Sequence, residues 1–102
     1  MTVVDGDVVY KVRWDHRAAP QVTTCVIQLG NVGFTREQWD NESITVSADA
    51  HLNPKDHYCR NRGRRVSLAH VLSLTRNDEV RAFSLGLRAK IWEAYREQLG
   101  HW

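Results

Sequence analysis

The chain has 102 residues, a net charge of +2, 42% apolar and 25% charged residues. That length suits one domain, 1–102, with one modest core. No apolar run approaches the ~20 residues that span a bilayer, so no membrane partner is expected. With charge nearly balanced, any case for an anionic partner rests on where the bases sit.

Residues 1–52 are expected to be β. Asp5-Gly6 between Val3-Val4 and Val8-Val9 is a short hairpin signal. Val8, Tyr10, Val12 and Trp14 alternate with Val9, Lys11, Arg13 and Asp15, a strand with one buried face. His16–Pro20 is expected to be a turn or loop. Gln21–Leu29 is a second strand. Val22 and Val26 lie on one face and Cys25, Ile27 and Leu29 on the other, so it should be central. Gly30 and Gly33 should break it. Thr35 with Gln38 forms a capping box, predicting one helical turn over Thr35–Trp39. Glu42–Ala50 is a third strand, with Ile44, Val46 and Ala48 facing away from Ser43, Thr45 and Ser47.

Residues 53–102 are expected to be α. Asn53 is a good N-cap and Pro54 a favoured first helical residue, so the first helix should run to about Leu74. Gly63 lies inside it, either for close approach of backbone or ligand or as a break. Thr75–Asn77 is a short turn. A second helix should carry Val80, Phe83, Leu87, Ile91, Ala94 and Tyr95 and end near Gly100. The fold class is α+β: an antiparallel β-meander of three to four strands followed by a C-terminal helical hairpin.

The charge concentrates between residues 55 and 65, where Lys55, Arg60, Arg62, Arg64 and Arg65 face a single carboxylate, Asp56. Asn61, Arg64, Arg65, Leu68, Val71 and Leu72 follow helical spacing, so Arg64 and Arg65 should extend the core-facing stripe. Placed there, they would rim a groove between helix and sheet and suit phosphate or carboxylate. Tyr58 flanks the same surface and offers a stacking ring. The candidate ligand-binding set is Lys55, Tyr58, Arg60, Asn61, Arg62, Arg64 and Arg65. The competing reading is that the arginines snorkel over the sheet edge and pair with Asp49, Asp56 or Glu42.

His51, His57, Cys59 and His70 match no common zinc spacing, and nothing orients a base for Cys59, so neither metal, cofactor nor catalysis is expected. Two cysteines make no disulfide framework. With no basic start followed by an apolar block, a cytoplasmic setting is expected. Trp14 and Trp92 sit on apolar faces and read as core. Leu85, Trp92 and Leu99 form a second stripe on the last helix, with Trp102 beyond it. That stripe is either a homodimer surface or a wider core-facing one.

The segment Asn53-Pro54-Lys55-Asp56-x-Tyr58-x4-Gly63-Arg64-x3-Leu68-Ala69 resembles a pattern in small phage and prophage accessory proteins. In these a short β-meander precedes a Pro-x-Asp-x-aromatic, then Gly-Arg or Gly-Lys, then an Ala/Leu-rich helix. Some look like anti-defence proteins, among them the Thoeris anti-defence sponge, which sequesters a cyclic ADP-ribose signal. The resemblance spans roughly residues 44–75, and the chain departs from it at Ser67, His70 and Val71. It implies a small phage-encoded accessory protein in the host cell that acts by binding, and the Arg cluster makes a phosphate-bearing nucleotide signal the expected ligand. Two alternatives stay open: nucleic-acid binding through the same cluster, with Arg76 and Arg81 at its end, and inhibition of a host protein through an apolar patch.

Overall fold

The computed structural model describes residues 1–18, 21–51, 60–73, 75–76, 80–81 and 84–99. In chain order these form β1 (Thr2–Asp5), β2 (Val8–Ala18), β3 (Gln21–Asn31), α1 (Arg36–Asn41), β4 (Ile44–His51), α2 (Arg60–Leu72), β5 (Thr75–Arg76), β6 (Val80–Arg81) and α3 (Leu85–Leu99). The first four strands pair antiparallel in the order β1-β2-β3-β4, and the fold is α+β as expected.

Period-two alternation sets the two faces of this sheet. Val3, Tyr10, Val12, Cys25, Ile27 and Ala50 turn to one side and are buried there beneath the helices. From α2 come Leu68, Val71 and Leu72; from α3, at successive turns, come Leu87, Ile91 and Tyr95. α2 packs on β3 and β4, and α3 on β1. No helix among the described residues is long and apolar enough to cross a membrane.

The Asp5-Gly6 signal marks a real hairpin: Asp5 pairs with Val8, and Gly6 has a φ of 61°, a conformation glycine adopts without strain. Gly30 does not break β3. It sits within the strand opposite Val9, and its missing side chain makes room for Trp39 of α1, since a Cβ there would lie 2.6 Å from the indole. α1 begins with the expected capping box, Gln38 N donating to Thr35 Oγ1 at 3.2 Å and Thr35 N to Gln38 Oε1 at 2.9 Å, and runs on to Asn41.

Two sequence expectations need correction. His16–Ala18 is strand rather than loop: His16 pairs with Thr23, Arg17 with Val22 and Ala18 with Gln21. His16 Nδ1 lies 3.0 Å from Thr23 Oγ1, so a polar pair continues the inner face where apolar alternation stops. The second helix does not begin near Asn77. Thr75 and Arg76 pair with Arg81 and Val80, and α3 starts at Leu85. Its cap is Ser84, whose Oγ accepts from Leu87 N at 3.2 Å. The two helices are therefore joined through a small β-ribbon, not one short turn. The expected start of the first helix at Asn53 lies outside the described residues.

Cys25 is fully buried in the centre of the sheet, and burial pushes its thiol from an ordinary 9.0 up to about 12. The folded state thus holds the thiol proton more tightly than the unfolded chain. Stability should fall as pH rises above about 9, by about 4 kcal/mol once pH reaches 12. Urea unfolding midpoints followed from pH 8 to 11 should drop less steeply in Cys25→Ala than in the parent.

Candidate functional site

β2 supplies Trp14, α2 supplies Arg64 and α3 supplies Tyr95, and these meet at one corner of the helix-covered face. Trp14 Nε1 donates to the Arg64 carbonyl at 3.2 Å, tying the first turns of α2 to the sheet across 50 residues. The Trp14 ring meets Tyr95 edge-on at 5.8 Å, and Trp92 meets it from the other side at 5.7 Å. Such pairs each add about 0.5–1.5 kcal/mol beyond the area they bury.

Gly63 explains how α2 comes so close. A Cβ at Gly63 would overlap Thr23 Oγ1 and lie 2.9 Å from Thr23 Cβ. Ser67, one turn on, is fully buried and donates to the Gly63 carbonyl at 2.7 Å. The helix is thus seated on the sheet along Gly63, Ser67 and Val71, with Leu68 and Leu72 beside them. This shifts the centre of the buried stripe away from the Leu68-Val71-Leu72 line alone. Arg64, four residues before Leu68, stays on it and is half-buried, whereas Arg65 is exposed, against the expectation that both extend the stripe.

Beside Arg64 lies a cleft of about 400 Å³, walled by Val12, Arg13, Trp14 and His16 of β2, Arg64 of α2, and Met1 and Gln98. Arg13 is held by Asp15 at 2.9 Å, both side chains being well exposed. Burial raises the Tyr95 pKa above the ordinary 10.0, and the positive charges of Arg64 and then Arg65 offset part of that rise. The cleft therefore combines the Arg64 guanidinium, an imidazole, an amide and an indole, with no carboxylate residue among its described lining residues; the Arg13 side chain pairs with Asp15 on the other face of β2. Another concavity, of about 270 Å³ between β1 and α3, has Lys90 but also Glu93 and Glu97, a poor lining for an anion.

Of the candidate set, Arg64 lines the cleft, and Arg62 and Arg65 lie exposed on α2. Arg60 and Asn61 belong to its first turn, their side chains outside the described residues, as are Lys55 and Tyr58. His16 and Gln98 were missed. His16 reads as a loop residue, and no local pattern brings it to α2, whereas Arg13 faces solvent with Asp15 as the strand alternation implies. The second α3 stripe divides: Trp92 packs against the core, Leu85 is 74% exposed, and the Leu99 side chain and Trp102 are outside the described residues.

Comparison with family models, curated proteins and solved structures finds no match to this chain.

Proposed function

We propose that the protein acts by binding rather than by catalysis, and that it takes a phosphate-bearing small molecule of the nucleotide class in the cleft beside Arg64. The observation that carries this reading is a half-buried arginine, Arg64, lining a cleft whose described lining residues include no carboxylate. Arg64's main chain is tied to β2 by the Trp14 indole, which fixes where its side chain leaves the helix. The indole of Trp14 and the amide of Gln98 give the rest of the ligand an apolar surface and a directional contact. A cleft of about 400 Å³ falls in the usual range for such ligands. The phage-type anti-defence role implied by the resemblance fits a protein of this kind, which would hold a nucleotide signal without transforming it.

A thermal-shift screen against mononucleotides, cyclic nucleotides, pyrophosphate and short oligonucleotides at two salt concentrations tests this. A small molecule present at 100 times its dissociation constant should raise the melting temperature by roughly 10 °C or more. Arg64→Ala should weaken binding by about 10- to 100-fold, and Arg64→Lys should recover little, because an ammonium lacks the fork. Unchanged binding in Arg64→Ala would reject the assignment.

A second reading is favoured by one observation. The cleft is open to solvent along its length and Arg62 and Arg65 are exposed on the same helix, an arrangement a nucleic-acid strand can cross. In that case oligonucleotides, not mononucleotides, give the shift, and it collapses with added salt.

A further inference from the structure

We propose that β4 is a self-association edge, on which a second copy of this chain adds its own β4 antiparallel. Among the described residues β4 pairs with β3 alone, so its other edge carries main-chain groups with no described strand beside them.

The hydrogen-bond phase of the sheet says which groups these are. Val12 exchanges both main-chain bonds with Met1, at 2.8 and 3.0 Å, so even-numbered residues of β2 turn toward β1 and odd-numbered ones toward β3. Val32 N donating to Asp7 O at 2.8 Å agrees with that phase. Carried through the unbroken register, Thr23, Cys25, Ile27 and Leu29 bond to Ala50, Ala48, Val46 and Ile44. Thr45, Ser47, Asp49 and His51 therefore direct their N–H and C=O groups outward.

One of those groups is already taken. His70 of α2 places Nδ1 2.8 Å from the Asp49 carbonyl, closing the edge at that point. The segment Ile44–Ala48 before it has no lysine, proline or bulge, the devices that blunt an edge, and Ile44 is 59% exposed.

A second copy fits this segment in one register. Thr45 opposite Ser47 of the other copy satisfies the outward groups of both. Val46 then meets Val46 on the two-fold axis, and Ile44 lies against Ala48, covering the exposed isoleucine. No charged side chains face each other across these pairs. Sliding by two residues would set Thr45 against Asp49, whose carbonyl His70 occupies. The result is one continuous sheet through two chains, with an isologous interface.

Sedimentation equilibrium over a wide concentration range, paired with cysteine crosslinking, tests the proposal. The full chain should show a reversible monomer–dimer equilibrium. Ser47→Pro removes an outward N–H that β3 does not use, so the fold should survive by circular dichroism while the dissociation constant rises at least about tenfold. In a Cys59→Ser background, with Cys25 buried, Val46→Cys should oxidise to a disulfide dimer, since two-fold-related residues of a non-hydrogen-bonded pair sit about 4.5 Å apart. A protein monomeric at every concentration would overturn the proposal. So would a dimer indifferent to Ser47→Pro, or one in which Val46→Cys fails to crosslink.

Discussion

Tyr95→Ala should cost about 3–5 kcal/mol, the usual toll of removing a buried aromatic side chain. Tyr95 is only 1% exposed and stands between Trp14 and Trp92, with Ile91 one turn before it. Its loss removes the ring both indoles pack against and opens a cavity between elements held by the sheet and the Trp14–Arg64 bond. A domain of this size has roughly 5–15 kcal/mol in all, so the variant should be close to unfolding at 37 °C. Tyr95→Phe keeps the ring and should cost about 1 kcal/mol or less, the worth of one hydroxyl contact. Chemical denaturation of the three proteins measures both differences. If Tyr95→Ala and Tyr95→Phe fell together, the hydroxyl and not the ring would be the principal contribution.

Gly63→Ala is the second large effect. Alanine in mid-helix normally gains about 1 kcal/mol over glycine. Here the added Cβ meets Thr23 Oγ1 inside van der Waals range, and the neighbouring Ser67 and Ala50 are fully buried, so neither chain has an easy direction to move. Overpacking at such a contact costs about 1–3 kcal/mol; at the upper end of that range, less the helix gain, we expect a net loss of up to about 2 kcal/mol. Because Arg64 is the next residue, α2 should also be displaced from Trp14, loosening the cleft. Thr23→Ala removes Oγ1 and Cγ2 while leaving Cβ, so the double variant should recover part of the loss. A thermodynamic cycle of the four proteins gives the coupling directly. A stability gain in Gly63→Ala would contradict the close approach.

Much of the architecture was legible because local chemistry and tertiary structure agree. Asp5-Gly6, the alternation of β4 and the Thr35–Gln38 box each state their own geometry within a few residues. The central position of β3 was legible because both its faces carry apolar groups. His16–Ala18 was misread because apolar alternation ends at Trp14 and Pro20 follows closely, whereas the strand continues on a His16–Thr23 polar pair. Val80 was assigned to the helix because it fits the spacing of Leu87 and Ile91, yet it pairs with Arg76 and the Ser84 cap stands beyond it.

The cleft was half legible. Arg64 was placed on its rim because it sits four residues from Leu68. Arg65 was placed with it because the buried stripe was read from its large residues. Gly63 and Ser67, too small to register as core, set the true centre of that stripe. His16 could not be assigned from sequence at all: its place in the cleft with Arg64 is a product of α2 crossing the sheet.

The central claim is that an anion binds beside Arg64. Trp14 Nε1–H, bonded to the Arg64 carbonyl, is a reporter inside the cleft, and Trp39, held against Gly30 on the opposite face of the sheet, is an internal control. In a ¹H–¹⁵N spectrum titrated with pyrophosphate and then with nucleotides, the Trp14 indole resonance should move saturably and the Trp39 resonance should stay in place. Movement should vanish in Arg64→Ala. A Trp14 resonance that stays still, or one that shifts no more than that of Trp39, would contradict the account.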